Sequence, residues 1–377
     1  MNRLVCAAVA LLAVSACSAP IPPRSATPKP STTPGVAATL PAPTGTRPVG
    51  TTTLYLKDTS RPDTWEPSVK ARELRVVLWY PTATRDGRRA AYMTAKESEL
   101  ALKGARVTGV AYDVLSRTRT NAVQDAKPAG KNLPLVVLSN GFTKPINMLT
   151  SLAEDLASQG YVVAGIDHTY ESYATTFPGG RVATCTACDM DTDPGFGTRT
   201  VLSRAADVSF VLDRLAAWDR TGLIDGSRIA MAGQSIGGAS ALAAMVKDKR
   251  VKAGIDMDGT TYARIPKGGL ARPFLFMGSP THVPGGRDIS WDRDWKLLTG
   301  WKRWVVLPSG DHQSFTDLPM LAGSLGIAPP GTLTAAKSVE ITRTYVRAFL
   351  DEHLRGRPQT PAFPEVLPCV PEKQTCG

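Results

Sequence analysis

Arg228-Ile229-Ala230-Met231-Ala232-Gly233-Gln234-Ser235-Ile236-Gly237-Gly238 joins a short apolar run to a small-residue stretch through a G-x-S-x-G turn. Ile229 to Ala232 has the character of a buried strand end, and Gly237 to Val246 that of a helix. A strand, a sharp turn and a helix together push a serine onto a strained corner with its hydroxyl exposed. Glycines flank such a corner because it needs φ freedom and leaves no room for a Cβ. The pattern alone also fits a glycine-rich turn carrying a passive serine. The choice depends on whether the chain supplies a base, an acid and a fold.

Working outward, strands and helices alternate. Leu133 to Leu138 and Tyr161 to Ile166 are continuous apolar runs, the pattern of strands buried on both faces. Met148 to Ser158 reads as a helix. Val201 to Trp218 is a long amphipathic one, with Ala205, Val208, Leu212, Leu215 and Trp218 on one side. After the turn, Val251 to Met257, Pro273 to Met277 and Trp304 to Leu307 are further strands, and Ala335 to His353 is a closing helix. Before it, Leu74 to Pro81 is a strand stopped by proline, with Thr51 to Leu56 as an antiparallel partner. Ala90 to Gln124 is mixed, helical near Ala95 to Leu102, and reads as an insertion over one end of the sheet. The alternation predicts βαβ crossovers and a mostly parallel, roughly eight-stranded sheet flanked by helices, in one domain over residues 50–365.

The ends of the chain have a different character. Asn2-Arg3 precedes an eleven-residue apolar run, Leu4 to Val14, too short to span a bilayer and suited to a signal-peptide core. Val14-Ser15-Ala16-Cys17 resembles the bacterial lipobox, which implies cleavage after residue 16 and lipid attachment to Cys17. An ordinary secretory signal with an incidental cysteine is the alternative, and both put the chain outside the cytoplasm, on the outer face of the cell membrane or secreted. Residues 17–49 are rich in Pro, Thr and Ser, poor in large apolar side chains, and read as a tether. Of six cysteines, Cys185, Cys188, Cys369 and Cys376 remain for pairing. Local spacing favours Cys185–Cys188, pinning the long loop after Ile166, and Cys369–Cys376 in a tail over residues 366–377. The net charge of +11 comes from scattered basic residues with no basic helix or basic–aromatic stripe, which argues against nucleic acid as a partner.

In an open α/β sheet, catalytic groups gather beyond the carboxyl ends of the strands. Of the four histidines, His353 sits in the closing helix, His168 precedes the serine, and His282 follows the penultimate strand. His312, in Gly310-Asp311-His312-Gln313-Ser314-Phe315 after the last strand, suits the chain order serine, acid, histidine. The segment after the penultimate strand, Met277-Gly278-Ser279-Pro280-Thr281, holds no carboxylate before Asp288. One strand earlier, in Asp256-Met257-Asp258-Gly259, Asp258 stands at the strand end with Asp256 deeper on the same face. Asp258 is therefore the expected acid and Asp288 its rival. Asp167 and Asp311 read as partners within their own loops. The oxyanion hole calls for two backbone N–H donors, assigned to Ile236 after the serine and to Phe142 in Asn140-Gly141-Phe142.

The N-G-F segment, the G-Q-S-I-G-G elbow, D-M-D-G and G-D-H-Q-S-F, in that order, resemble the plasma-type (isoform II) platelet-activating-factor acetylhydrolase family of α/β hydrolases, over most of residues 70–355. That family is related to dienelactone hydrolases and bacterial polyester-hydrolysing esterases. The resemblance implies an α/β-hydrolase fold and a serine esterase for short acyl groups, with Ser235, Asp258 and His312 as its triad. Two positions depart from the family: Asn140-Gly141 stands where His-Gly is usual, and Gln234 where histidine usually precedes the serine. Both are expected to line the pocket, so phospholipid substrates do not carry over directly. Trp291, Trp295, Trp301 and Trp304 are expected to pack into core and rim, with an apolar lip over the site as the alternative.

These readings converge on a lipid-anchored ester hydrolase working through an acyl-enzyme, with no metal or cofactor, on a small ester or lipid. The alternatives are a polyester or xenobiotic esterase, an amidase, or a non-catalytic lipoprotein that binds envelope lipid or glycan on a hydrolase fold.

Overall fold

The computed structural model describes residues 37–219, 221–327 and 333–377. Cys17, the signal sequence and the first part of the expected tether lie outside them. The chain opens with β1 (Val49–Asp58) and β2 (Arg72–Pro81), then α1 (Ala95–Gly104) and β3 (Val123–Gln124). Next come β4 (Leu133–Ser139), α2 (Thr150–Ser158), β5 (Val162–His168) and a small hairpin of β6 (Thr175–Thr176) and β7 (Val182–Ala183). The helix α3 (Phe196–Trp218) leads into β8 (Ile224–Gln234), α4 (Ile236–Lys247) and β9 (Val251–Met257). The remainder is β10 (Phe274–Gly278), α5 (Ser290–Trp295), β11 (Lys302–Val306), α6 (Leu318–Ser324), α7 (Ala335–Arg355), β12 (Leu367–Val370) and β13 (Thr375–Cys376).

Among the described residues these strands form an eleven-stranded sheet in the order β13-β12-β11-β10-β9-β8-β4-β5-β2-β1-β3. The six strands from β11 to β5 are mutually parallel, and β2 closes antiparallel on β5. Every residue of β4 and β5 is buried, as their unbroken apolar runs require of strands covered on both faces. On one face the apolar sides of α3 and α4 pack on Leu135, Val137, Met231 and Phe276. On the other, α2 and α7 pack on Val136, Leu138, Ala232 and Ile255. This is the layered α/β-hydrolase arrangement that the alternation predicts, with more strands because short ones add at both edges.

Three boundaries differ from the sequence reading. Residues 37–48, assigned to the tether by composition, run along the domain instead. Ala38 and Leu40 are buried, Leu40 N–H donates to the Arg119 carbonyl, and Arg343 donates to the carbonyls of Pro41 and Ala42. A few apolar side chains with borrowed backbone partners suffice to order a Pro/Thr-rich segment. Residues 367–376 are not a free tail: β12 pairs antiparallel with β11, and β13 with β12, which covers the sheet edge. Helix α3 starts five residues earlier than its apolar periodicity shows, because Phe196 is held by tertiary contacts with Trp65 and Phe142. The 90–124 insertion folds as α1 with a Thr94/Glu97 capping box. Its Tyr92, Met93, Leu102 and Leu115 build a small satellite core with Met148 and Leu321.

Candidate active site

The parallel register brings five strand ends together. Ser235, directly after β8, bonds through its N–H to the Met257 carbonyl at the end of β9. Asp258 N–H bonds to Met277 in β10, and Leu307 N–H, past β11, to Gly278. Ser139, the last residue of β4, lies opposite Gly233. Residues far apart in sequence are thus placed beside one another by backbone ladders alone.

Ser235 has φ 57° and ψ −132°, a strained conformation for a residue with a side chain, and it caps α4. Its glycine neighbours serve close approach rather than φ freedom. A Cβ on Gly233 would lie 2.2 Å from the Gly237 carbonyl carbon, and one on Gly237 would lie 2.0 Å from the Ser139 oxygen. The strain therefore falls on the serine itself and on Asp258, whose φ is 63°.

Asp258 is completely buried, and both its oxygens are occupied. Oδ2 accepts from His312 Nδ1 at 2.6 Å and from Ser279 Oγ at 3.0 Å. Oδ1 accepts from the Ser279 N–H at 2.6 Å and from His282 Nδ1 at 2.8 Å. Burial alone would raise this carboxyl; the hydrogen bonds from the two histidines outweigh it and hold the group well below the usual carboxylate range. Asp256 shares the strand but not the task. Burial pushes it far upward, and its Oδ1 accepts the Gly259 N–H. Asp288 does not reach His312: its Oδ2 faces His282 Nε2 at 3.1 Å and also accepts from Thr260. The His312 side chain is 46% exposed, so a substrate can reach it from solvent. It engages the protein through Nδ1 and through its carbonyl, which accepts from Gln234 Nε2 at 2.8 Å. Among the hydrogen bonds of the described residues, none joins Ser235 to His312 Nε2. Unliganded sites commonly tighten that contact only when substrate is bound.

The two expected backbone donors also stand out. In the 140–144 loop, the N–H groups of Gly141, Thr143 and Lys144 bond to Asn140 Oδ1, Glu171 O and Gly141 O. No hydrogen bond within the described residues uses the Phe142 N–H. At the elbow, Gly238 and Ala239 donate to Ser235 O, while the Ile236 N–H at the α4 N-terminus has no partner among the described residues. Both of these unused donors lie on the loops flanking Ser235.

The two departures from the family pattern do not line the pocket as expected. Asn140 and Gln234 are 3% and 1% exposed. Asn140 turns its loop by bonding Gly141 N–H and the Pro145 carbonyl, and Gln234 tethers the His312 loop. Behind them Arg204, buried on α3, donates to Asn140 O at 2.5 Å and is paired with Glu171. Of the other histidines, His168 is buried between Ser139 and Asp207, and His353 packs its edge on Trp301 and Phe349. Asp311 bonds within its own loop, on Gln313 N–H, as expected, whereas Asp167 lies in β5 and accepts instead from Ile146 N–H of the β4–α2 loop and from Arg75 of β2, because the sheet sets those groups beside it. Trp291 and Trp304 are core residues rather than a lip. Cys185–Cys188 and Cys369–Cys376 are both joined by disulfides. Sequence reasoning missed Ser279, whose value to Asp258 is a loop amide and a hydroxyl that no motif advertises.

Beside this cluster opens a cleft of about 730 Å³, lined by Thr260, Tyr262, His282, Arg287 and Ile289 among others. Ile289 and Tyr262 are among the few exposed large apolar side chains.

The sheet, the elbow and the converging strand ends define an α/β hydrolase. The model of the family "Platelet-activating factor acetylhydrolase, isoform II" matches residues 36–182 and 204–359, and the chain belongs to that family. A probable 1-alkyl-2-acetylglycerophosphocholine esterase of Arthroderma benhamiae is 27% identical over 373 residues, covering 87% of this chain and 93% of the relative. The platelet-activating factor acetylhydrolase of Canis lupus familiaris is 24% identical, covering 60% of this chain and 58% of its own. Among solved structures, a ferulic acid esterase from Streptomyces cinnamoneus superposes with a TM-score of 0.80 at 43% identity, covering 88% of this chain and 99% of the other. The chain is a carboxylic ester hydrolase of this family.

Proposed function

We propose that Ser235 is the nucleophile of a serine esterase, His312 its general base and Asp258 the acid that orients His312. The observation that carries this is the 2.6 Å bond from His312 Nδ1 to a fully buried Asp258 carboxylate, on the strand end next to the serine elbow. That bond fixes the tautomer with Nε2 as the acceptor. Ser235 Oγ attacks the ester carbonyl carbon and its proton passes to His312 Nε2. The carbonyl oxygen becomes an oxyanion held by the N–H groups of Phe142 and Ile236. Collapse expels the alcohol, which takes the proton from His312. Water repeats the sequence on the acyl-enzyme, releasing the acid and restoring Ser235.

The substrate reading is an ester of a short or compact acyl group, with the rest of the molecule in the cleft beside Tyr262 and Ile289. An acetylated glycerophospholipid fits the names of the relatives, and a hydroxycinnamate ester fits that of the solved structure. The basic–apolar start of the chain and Cys17 support export and attachment to the outer face of the membrane through a lipid. The test is a panel of nitrophenyl esters of increasing acyl length, an acetylated phospholipid and a feruloyl ester, assayed on the wild type and on Ser235→Ala. The reading predicts fastest turnover of short acyl groups and loss of all turnover in Ser235→Ala. Undiminished turnover in that variant contradicts it. Globomycin sensitivity of processing, read by mass, tests the lipid on Cys17.

A further inference from the structure

His282 is a buried histidine outside the Ser235–Asp258–His312 set, and its surroundings are unusually demanding. Nδ1 lies 2.8 Å from Asp258 Oδ1, and Nε2 lies 3.1 Å from Asp288 Oδ2. An ionised carboxylate only accepts hydrogen bonds, so each contact requires the proton on the ring nitrogen. A ring with both nitrogens protonated is an imidazolium. Its face stacks on Trp291 at 4.5 Å and 26°, the geometry in which an aromatic ring favours a cation. Its backbone is fixed as well: the carbonyl accepts from Trp304 Nε1 at 2.9 Å, and the N–H bonds to Ser279 O at 3.0 Å. The other ionisable groups around it are Asp256, whose carboxyl burial pushes toward its neutral form, the Tyr262 hydroxyl, Asp294 with its partner Arg293, the exposed Arg287, and His312 across Asp258.

We propose that His282 is a positioning residue, an imidazolium that clamps Asp258 from the side opposite His312 and so fixes the direction in which the carboxylate holds the His312 ring. The proposal rests on the roles assigned to Asp258 and His312 above. In consequence the acid of the site is gripped by two histidines of different duty. His312 faces solvent and exchanges protons with the reaction, whereas His282 faces the core and keeps its charge. Asp288 belongs to the same device, because it is the second anion that makes the ring's full protonation favourable. The structure thus gives the rival acid a place one link behind the first. Burial disfavours the charge on His282, but its bonds to Asp258 and Asp288 raise the ring to about 9.

Nitrogen-15 NMR of histidine-labelled protein reads the clamp independently of turnover. At about pH 7.5, below the value to which the ring is raised, one imidazole should carry protons on both nitrogens, disappear in His282→Gln, and titrate near pH 9. In kinetics, His282→Gln should lower kcat for a nitrophenyl ester about a hundredfold with KM changed less than about twofold, the scale of a misaligned catalytic group. Asp288→Asn keeps the Asp258 contact, so its loss near neutrality should be smaller, with an alkaline fall in kcat that begins at lower pH than in the wild type. A singly protonated His282 at about pH 7.5, or a folded His282→Gln with wild-type kcat, overturns the proposal. Should His282→Gln not fold, the titration of the wild type and the Asp288→Asn profile decide. Activity retained by Ser235→Ala would instead remove the underlying assignment while leaving the NMR result standing.

Discussion

His312 and Asp258 are joined by a 2.6 Å hydrogen bond although the imidazole is 46% exposed and the aspartate side chain is fully buried. This asymmetry suits a proton carrier steered by a fixed anion. The histidine faces solvent, and the carboxylate stays out of reach at the end of β9. A buried carboxylate with fewer donors is pushed toward its protonated form, as Asp256, held by the Gly259 N–H alone, is two residues earlier. Asp258 stays ionised because four donors converge on it.

The first prediction concerns which aspartate orients the base. Asp258→Asn should lower kcat by about a thousand- to ten-thousandfold, the scale set when a triad acid loses its charge and the tautomer is wrong. Asp288→Asn, which contacts His282 and not His312, should cost about tenfold, as an indirect misalignment. Steady-state kinetics on one nitrophenyl ester compares them, and the reverse order would move the role of the acid to Asp288.

The second concerns pH and stability. Asp317, five residues past His312, is buried and accepts from Ser151 N–H and Tyr92 Oη. Burial raises it from 3.8 to about 8. The folded state therefore holds a proton that the unfolded chain releases near pH 4. Stability from this group is fully present below that value and is lost as pH rises through about 8. The wild type should lose stability progressively between about pH 4 and pH 8, and Asp317→Asn should flatten that part of the curve. Urea midpoints measured across the range test it, and parallel curves for the two proteins would contradict it.

The third concerns space at the elbow. The missing Cβ of Gly237 would sit 2.0 Å from the backbone oxygen of Ser139, and neither backbone can give way without moving the oxyanion loop. Gly237→Ala should cost about 1–3 kcal/mol or more in unfolding free energy, the range for forced overpacking, and should also depress turnover of the folded fraction. An alanine variant with an unchanged denaturation midpoint and unchanged kcat would show that the close approach is unimportant.

Much of this was readable from local pattern. Buried strands such as Leu133 to Leu138 announce themselves by unbroken apolar runs, and the elbow at Ser235 by its glycines. Chain order then placed His312, and the lack of a carboxylate after Met277 pointed back to Asp258, which the structure holds against His312. What could not be read is what depends on loops meeting across the sheet. Ser279 and His282 act on Asp258 from a turn with no motif. Asn140 and Gln234 looked like pocket residues because they flank the site in sequence, whereas the fold turns their side chains inward onto backbone. Residues 37–48 looked like tether because their few apolar groups find partners only in tertiary structure.

The central claim is that Ser235 is the nucleophile, and a fluorophosphonate tests it most directly. The protein should take up one adduct per chain by intact mass, located to Ser235 by peptide mapping, with esterase activity lost in proportion and no adduct in Ser235→Ala. An adduct on another residue, or a fully labelled protein that still hydrolyses esters, would contradict it.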